Sequence, residues 1–258
     1  MKIQIDIPQL KQKAKALLTA NGSKFLFLSG AYVIICTLIS TLCNNILLKG
    51  VDANEIIRLT SGIATLSEEE FFATVDRLSA MIPPVEKTYL LALLQSVISS
   101  ILFVGFVSLI LKAIRHQELS IGILLDGAPI FYKVILLDLC MGIVIFFSFL
   151  LFIVPGIIAV YAYSMSHHIL ADNPEKGVIQ CMRESRRLMK GYKLKLFALE
   201  LSFILWGLLS FLPIVGYIVP LWLTPYKETT RTLMYLQLKG ENIDYAAYTN
   251  PSDILPPV

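Results

Sequence analysis

Apolar residues run almost unbroken over residues 25–48, 89–111 and 133–153. Three further apolar runs, 155–170, 195–212 and 213–225, are bounded or interrupted by proline and glycine. A helix of about 20 apolar residues spans the roughly 30 Å hydrocarbon layer of a bilayer. The pattern therefore predicts an all-α protein, a polytopic membrane helix bundle of about six membrane segments. The stretches "LLFIVPGIIAVYAY" and "LLSFLPIVGYIVPLW" both place proline and glycine in mid-run. Each reads as two segments joined by a tight turn, a weak internal repeat of hairpins. Proline and glycine are also common in membrane helices for general reasons, which gives the likeness a second explanation. The segments at 155–171 and 213–225 are short. They are either full crossings or re-entrant arms.

The intervals between the apolar runs carry helical signals of their own. In residues 6–21, Asp6 can cap, Pro8 suits a first turn and Gly22 follows the end. Leu10, Ala14, Leu17 and Leu18 form an apolar stripe beside Lys11, Lys13 and Lys15, which predicts an amphipathic helix lying at the membrane surface. Residues 49–88 contain two capping pairs, Asp52 with Glu55 and Ser67 with Glu70. After Ser67, the residues Phe71, Phe72, Val75, Leu78 and Met81/Ile82 recur at helical period, and Pro83-Pro84 ends the pattern. One or two short helices are expected there. Asn173-Pro174 should open another helix, closed by Gly191. At 100° per residue, Arg183, Arg186, Arg187 and Lys190 fall on one face of it, and Val178, Met182, Ser185 and Met189 on another. Beyond Pro225-Tyr226 a polar amphipathic tail is expected. The organisation read from these signals is an amphipathic N-terminal helix over 1–24, a first hairpin over 25–111 with loop 49–88, and a four-segment region over 112–258. That last region carries the basic interfacial helix 174–190.

Composition agrees. Hydrophobic residues make up 56% of the 258 positions and charged ones 16%, against about 45–50% and 25% in soluble domains. Mean hydropathy is +0.70. The first apolar run exceeds the 7–15 residues of a signal-peptide core, so it is expected to be a retained helix. The net charge of +3 says little, but its distribution sets orientation. Five lysines and arginines lie in 1–24, three in 112–133 and seven in 171–195. The loop 49–88 holds four, with seven acids. Cytoplasmic flanks collect lysine and arginine. The N-terminus, 112–133 and 171–195 should be cytoplasmic, the acidic loop 49–88 extracytoplasmic, and the C-terminus cytoplasmic.

Two sets of residues carry candidate chemistry. Arg183, Arg186, Arg187 and Lys190, continued by Lys193, form a basic face next to the membrane. Each such cation contributes about 1 kcal/mol toward an anionic leaflet. The face is read as a topology anchor or as a site for anionic lipid headgroups or another phosphate-bearing ligand. Asp138 and Glu200 lie inside apolar runs, where an ionised acid costs about 2.5–3.5 kcal/mol at mid-bilayer and less near the edge. Each shares a stripe with a glycine, Gly142 and Gly207, so both should face protein. They either pair with flanking cations such as Lys133 or Lys195, or form a proton or ion relay. His167-His168 point about 100° apart and have no obvious third ligand, so they read as interfacial polar residues without a metal. Cys36, Cys43, Cys140 and Cys181 show no paired spacing and imply no disulfide framework. No nucleophile elbow, zinc motif, P-loop or dinucleotide fingerprint is present, and neither a cofactor nor a nucleic-acid partner is expected.

A resemblance emerges from particular residues. Ser185, Leu188, Met189, Gly191, Lys193, Leu196, Phe197, Ser202, Phe203 and Trp206, then Pro225-Tyr226, resemble the pattern of a bacterial integral membrane family, domain of unknown function 975. "PGIIAVYAYSM" over residues 155–165 and the lysine-rich "LKQKAKALL" are similar to that family too. Loop 49–88 departs from it, being longer. The resemblance implies a six-segment protein of the bacterial cytoplasmic membrane and implies no activity. A looser similarity to the membrane domain attached to some glycerophosphodiesterases implies lipid or envelope association. The leading expectation is a non-enzymatic envelope protein that interacts with the lipid bilayer, its anionic lipids, or partner membrane proteins. The alternatives are a transporter or permease-like component using Asp138 and Glu200, and a lipid-modifying enzyme.

Overall fold

The computed structural model of the protein describes residues 5–20, 22–49, 52–61, 67–81, 83–208 and 215–241. Among the described residues all regular structure is helical. The elements are α1 (Ile7–Ala20), α2 (Gly22–Leu47), α3 (Ala53–Ser61), α4 (Glu68–Met81), α5 (Val85–Ile114), α6 (Phe131–Leu151), α7 (Ile153–Tyr163), α8 (Ser166–Asp172), α9 (Val178–Leu188), α10 (Lys193–Leu208) and α11 (Val215–Lys239), with a 3-10 turn at Ile121–Leu125. Among the described residues, four stretches are long and apolar enough to cross a membrane: Ser23–Leu47, Glu68–Ile114, Phe131–Leu151 and Ile153–Asp172. The chain divides into two compact units, one made of Met1–Ile34 and Ser99–Val258, the other of Ile35–Ile98.

The smaller unit holds the second half of α2, α3, α4 and the first half of α5. Both capping pairs form as the sequence predicts. Asp52 accepts from the backbone N–H of Asn54 at 2.9 Å. Ser67 and Glu70 exchange bonds in a capping box, with the Ser67 N–H donating to Glu70 Oε2 at 3.0 Å. Pairing of the two long helices is polar here: Gln95 Nε2 donates to Ser40 Oγ at 3.2 Å, and Lys87 Nζ to the Ile46 carbonyl at 3.2 Å. Ile82 lies outside the described residues.

In the larger unit, α7 folds back on α6. The backbone turns at Phe152, which is extended at φ −163°, ψ 156°. Asp138 and His167, nearly equidistant from that turn, meet as a result. The break comes three residues before Pro155, because proline without its N–H fits the first turn of the following helix. Gly156 makes the turn tight, since a Cβ there would overlap the Phe149 ring. Two other glycines govern close packing. A Cβ on Gly105 of α5 would overlap the Leu124 backbone, and one on Gly127 would overlap the Ile101 carbonyl. The connection 120–128 thus lies directly on the α5 backbone. Gly142 and Gly207, expected to permit helix approach, have open space instead.

Three further expectations are corrected. The stripe Leu10, Ala14, Leu17 and Leu18 on α1 is buried, but in protein: α1 packs on α11 and joins the main core. Its apolar face is spent on the bundle, leaving none for a membrane surface. The polar stretch after Pro225 is helical as far as Lys239, and residues 242–258 lie outside the described residues. Pro220 and Pro225 lie within the continuous helix α11, and Glu228, Thr229, Thr230 and Thr232 are all buried. Burial of Thr230 and Thr232 is tolerable because their hydroxyls donate to carbonyls one turn back, at 2.7 and 2.8 Å, whereas Thr229 Oγ1 and one Glu228 oxygen are buried without a hydrogen-bond partner among the described residues. Helix α9 begins at Val178, not at Asn173, which ends α8. Lys133 Nζ donates to the Pro174 carbonyl at 2.6 Å and holds the intervening turn. The link between α10 and α11, including Pro213, lies outside the described residues.

Gly105→Ala should lower stability by about 1–3 kcal/mol, because backbone, not a flexible side chain, blocks the added carbon. Gly142→Ala should be neutral or stabilising by up to about 1 kcal/mol. Thermal unfolding of the two detergent-purified variants checks the contrast.

Candidate functional site

The basic face forms as the wheel predicts. Val178, Cys181, Met182 and Ser185 are buried on one side of α9, and Met189 just beyond it. Arg183, Arg186, Arg187 and Lys190 are all exposed on the other side, while Lys193, the first residue of α10, is partly buried. Among the described residues none of the four exposed cations makes an ion pair. Lys176 of the preceding turn, by contrast, is taken by Glu184 at 2.7 Å. Gly191, at φ +86°, ends this region in the left-handed conformation that glycine adopts freely. Ser185 locks α9 to the bundle: its hydroxyl donates to the Ala162 carbonyl at 2.9 Å and accepts from the Met165 N–H at 3.2 Å. These are backbone groups at the α7–α8 break. Beside the basic face lies a depression of about 560 Å³ lined by Gln180, Arg183, Glu184, Arg187, Leu188 and Lys239.

The two acids of the apolar runs, Asp138 and Glu200, do face protein, but with other partners than the flanking lysines. Asp138 Oδ1 lies 2.8 Å from His167 Nε2. Glu200 Oε2 accepts from the Tyr161 hydroxyl at 3.0 Å, and its other oxygen lies 3.8 Å from Arg231. Arg231 also meets Glu228 at 3.4 Å. Lys195 is exposed, and Lys133 is engaged with carbonyls as described. His167 and Glu200 line one cavity of about 270 Å³ between α5, the α6–α7 hairpin, α10 and α11. The histidines pack against protein: His167 is partly buried and paired with Asp138. His168 is fully buried, with both ring nitrogens unpartnered among the described residues, against the rings of Phe103 and Tyr235. The four cysteines are free, and among the described residues no cluster of three metal-ligating side chains occurs.

A second polar cluster escaped sequence reasoning. It joins the ends of α5, α8 and α11. Asp172, with a side chain only 3% exposed, accepts from Arg115 at 2.7 Å, Lys239 at 2.5 Å and the Tyr235 hydroxyl at 2.8 Å. Arg115 in turn forks onto Glu241 with two bonds of 2.9 Å. Two of the helix ends in this network, those of α5 and α11, are set by the same turn. After α11, the Glu241 N–H bonds the Leu236 carbonyl and the Gly240 N–H the Gln237 carbonyl, with Gly240 at φ +80°. After α5, Gln117 and His116 make the equivalent bonds to Lys112 and Ala113, with His116 at φ 53°. A signal was available: Arg231, Tyr235 and Lys239 recur every four residues on one face of α11, amid apolar neighbours.

The hydrogen bonds from Arg115 hold the Glu241 carboxyl below the usual carboxylate range. A carboxyl with a depressed folded value stabilises the fold above its unfolded value of about 4.3, and that contribution fades as pH falls through the folded value. The melting temperature should therefore drop on acidification below about pH 4.3, and Glu241→Gln should flatten part of the drop. Arg115→Gln, which strips the buried Asp172 of one of its two cations and Glu241 of its fork, should cost roughly 2–3 kcal/mol at neutral pH. Thermal unfolding across pH reads both.

No curated protein and no solved structure matches the chain. A family does, over residues 10–242 and so over most of the length that builds the bundle, the basic helix and both polar clusters. The chain belongs to that family, described as "Protein of unknown function (DUF975)".

Proposed function

We propose that this is a non-enzymatic multi-pass protein of the bacterial cytoplasmic membrane, with both termini inside, that binds anionic lipid headgroups through α9. The observation carrying this reading is the pairing state of the cations. Acid partners satisfy two cations near α9, Lys176 and Lys239, whereas Arg183, Arg186, Arg187 and Lys190 stand exposed on one face without one among the described residues. Four like charges side by side repel one another, and such an arrangement is stable against an anionic surface. Arginine suits this task, since its planar fork can engage phosphate oxygens bidentately. Large exposed apolar residues on α2, α5, α6 and α7, such as Phe27, Leu90, Phe146 and Ile153, support a lipid environment around the bundle.

A second reading, a transporter-like component, draws support from one observation. His167, which holds Asp138, and Glu200 line the same cavity, and ionisable groups inside membrane bundles often mark solute or proton paths.

The test of the first reading is lipid binding by the full-length protein in neutral detergent. Added anionic phospholipid should raise the melting temperature, and salt should weaken the effect. Arg186→Gln with Arg187→Gln should reduce apparent lipid affinity by about tenfold or more. Equal stabilisation of wild type and variant by anionic lipid would sink the reading.

A further inference from the structure

The exposed side of α9 is not uniform. At about 100° per residue, Arg186, Lys190 and the exposed Ile179 crowd one edge, next to the buried Met182 and Met189. Gln180 and Arg187 lie roughly 90° further round, with Arg183 between the two groups. The depression of about 560 Å³ opens on that second edge. Its wall is Gln180, Arg183, Glu184, Arg187 and Leu188 of α9 with Lys239 of α11. Arg186 and Lys190 do not line it.

The charges in that wall do not cancel. Glu184 is answered by Lys176 at 2.7 Å. Lys239, together with Arg115, is answered by Asp172 and Glu241, two cations against two carboxylates. Arg183 and Arg187 have no acid partner among the described residues, so the depression keeps the positive charge of both. They stand at i and i+4, where Cβ atoms on a helix lie roughly 5–6 Å apart. Two guanidinium forks that close can share the oxygens of one phosphate group, since each fork engages phosphate bidentately.

We propose that this depression is a phosphomonoester site, in which Arg183 and Arg187 together grip the terminal phosphate and the Gln180 amide adds a neutral donor. A phosphodiester carries a single negative charge and would leave one of the two arginines unanswered. A monoester carries about −1.5 to −2 at neutral pH and three terminal oxygens, which matches two forks. Lys176 neutralises Glu184, the acid of the wall, and so keeps it from repelling the ligand. Arg186 and Lys190, on the other edge, are left to meet diester headgroups without selecting among them. The inference rests on the reading of α9 as the anion-binding helix and adds the class of anion. The monoester is carried either by a lipid, as in phosphatidic acid, or by a water-soluble ester.

The experiment reads thermal stabilisation of the full-length protein in an uncharged maltoside detergent at about pH 8.5, above the second ionisation of a monoester. Phosphatidic acid is titrated against phosphatidylglycerol in mixed micelles, and glycerol 3-phosphate against dimethyl phosphate in solution. Each pair contrasts a monoester with a diester. The expected result is half-maximal stabilisation at about tenfold lower concentration of the monoester in one pair or both. Preference in the lipid pair alone identifies a lipid ligand, and preference in the soluble pair identifies a free ester. Arg183→Gln and Arg187→Gln, at exposed positions that the fold does not need, should each remove the preference. Arg186→Gln should weaken both members of the lipid pair alike and keep the preference. Equal response of wild type to monoester and diester overturns the inference, and if both lipids stabilise, headgroup binding by α9 still stands. Preference undiminished in either Arg183→Gln or Arg187→Gln, or abolished in Arg186→Gln, overturns it too. Response to no anion at all overturns both readings together.

Discussion

Every charge carried into the interior of this bundle has to be answered there, because neither lipid nor packed protein will solvate it. That constraint organises the larger unit. Helix α11 supplies most of the answers. Its Arg231 reaches Glu200 of α10, its Tyr235 and Lys239 reach Asp172 of α8, and Glu241 just past its end takes the fork of Arg115 from α5. One helix with a polar stripe thus fixes three others by direction as well as by distance. Apolar packing alone would leave their rotations open, since hydrophobic contact is non-directional.

Directional pairing demands that the polar atoms arrive in register, and this is where backbone detail counts. Two helices end in the same left-handed turn, at His116 and at Gly240, and each turn delivers a member of the charged network. Histidine at such a position bears a steric cost that glycine avoids. On α5, the missing Cβ of Gly105 lets the connection 120–128 settle onto the helix, which in turn brings Asp126 within 2.7 Å of Lys112.

The sequence revealed those features that depend on local period and local chemistry. The capping pair Ser67 and Glu70, the apolar stripe of α1, though not what it packs against, and the basic face of α9 were all legible, because each involves residues within one or two turns. Asp138 and Glu200 were legible as acids that must face protein. Their partners were not. The nearest cations in the chain, Lys133 and Lys195, were reasonable candidates, but a helix places i and i+3 or i+4 side by side and says nothing of a neighbouring helix. His167 reaches Asp138 only because the chain reverses at Phe152, and Arg231 reaches Glu200 only because α11 runs on through two prolines. The same event hid the core. "KETTRTLMYLQL" reads as a surface segment until two of its threonines, Thr230 and Thr232, are seen to close their hydroxyls onto their own helix. Composition signals exposure of a residue type on average, not where a bundle will put it.

Surface and interior are joined at one side chain. Ser185 faces inward from the basic helix and bonds two backbone groups where α7 gives way to α8. The carbonyl it donates to belongs to Ala162, next to Tyr161, and the N–H it accepts from to Met165, two residues before His167. The segment that positions Tyr161 against Glu200 and His167 against Asp138 is therefore held open by a hydroxyl from α9. Free carbonyls and N–H groups at a helix break would otherwise be orphaned in the core, since a break forfeits the intrahelical bonds. A serine is suited to both roles, as donor and acceptor at once. Its neighbours Arg186 and Arg187 sit on the opposite face of the same turn. A single turn of helix thus fastens the cavity-bearing segment on one side and presents the charged surface on the other.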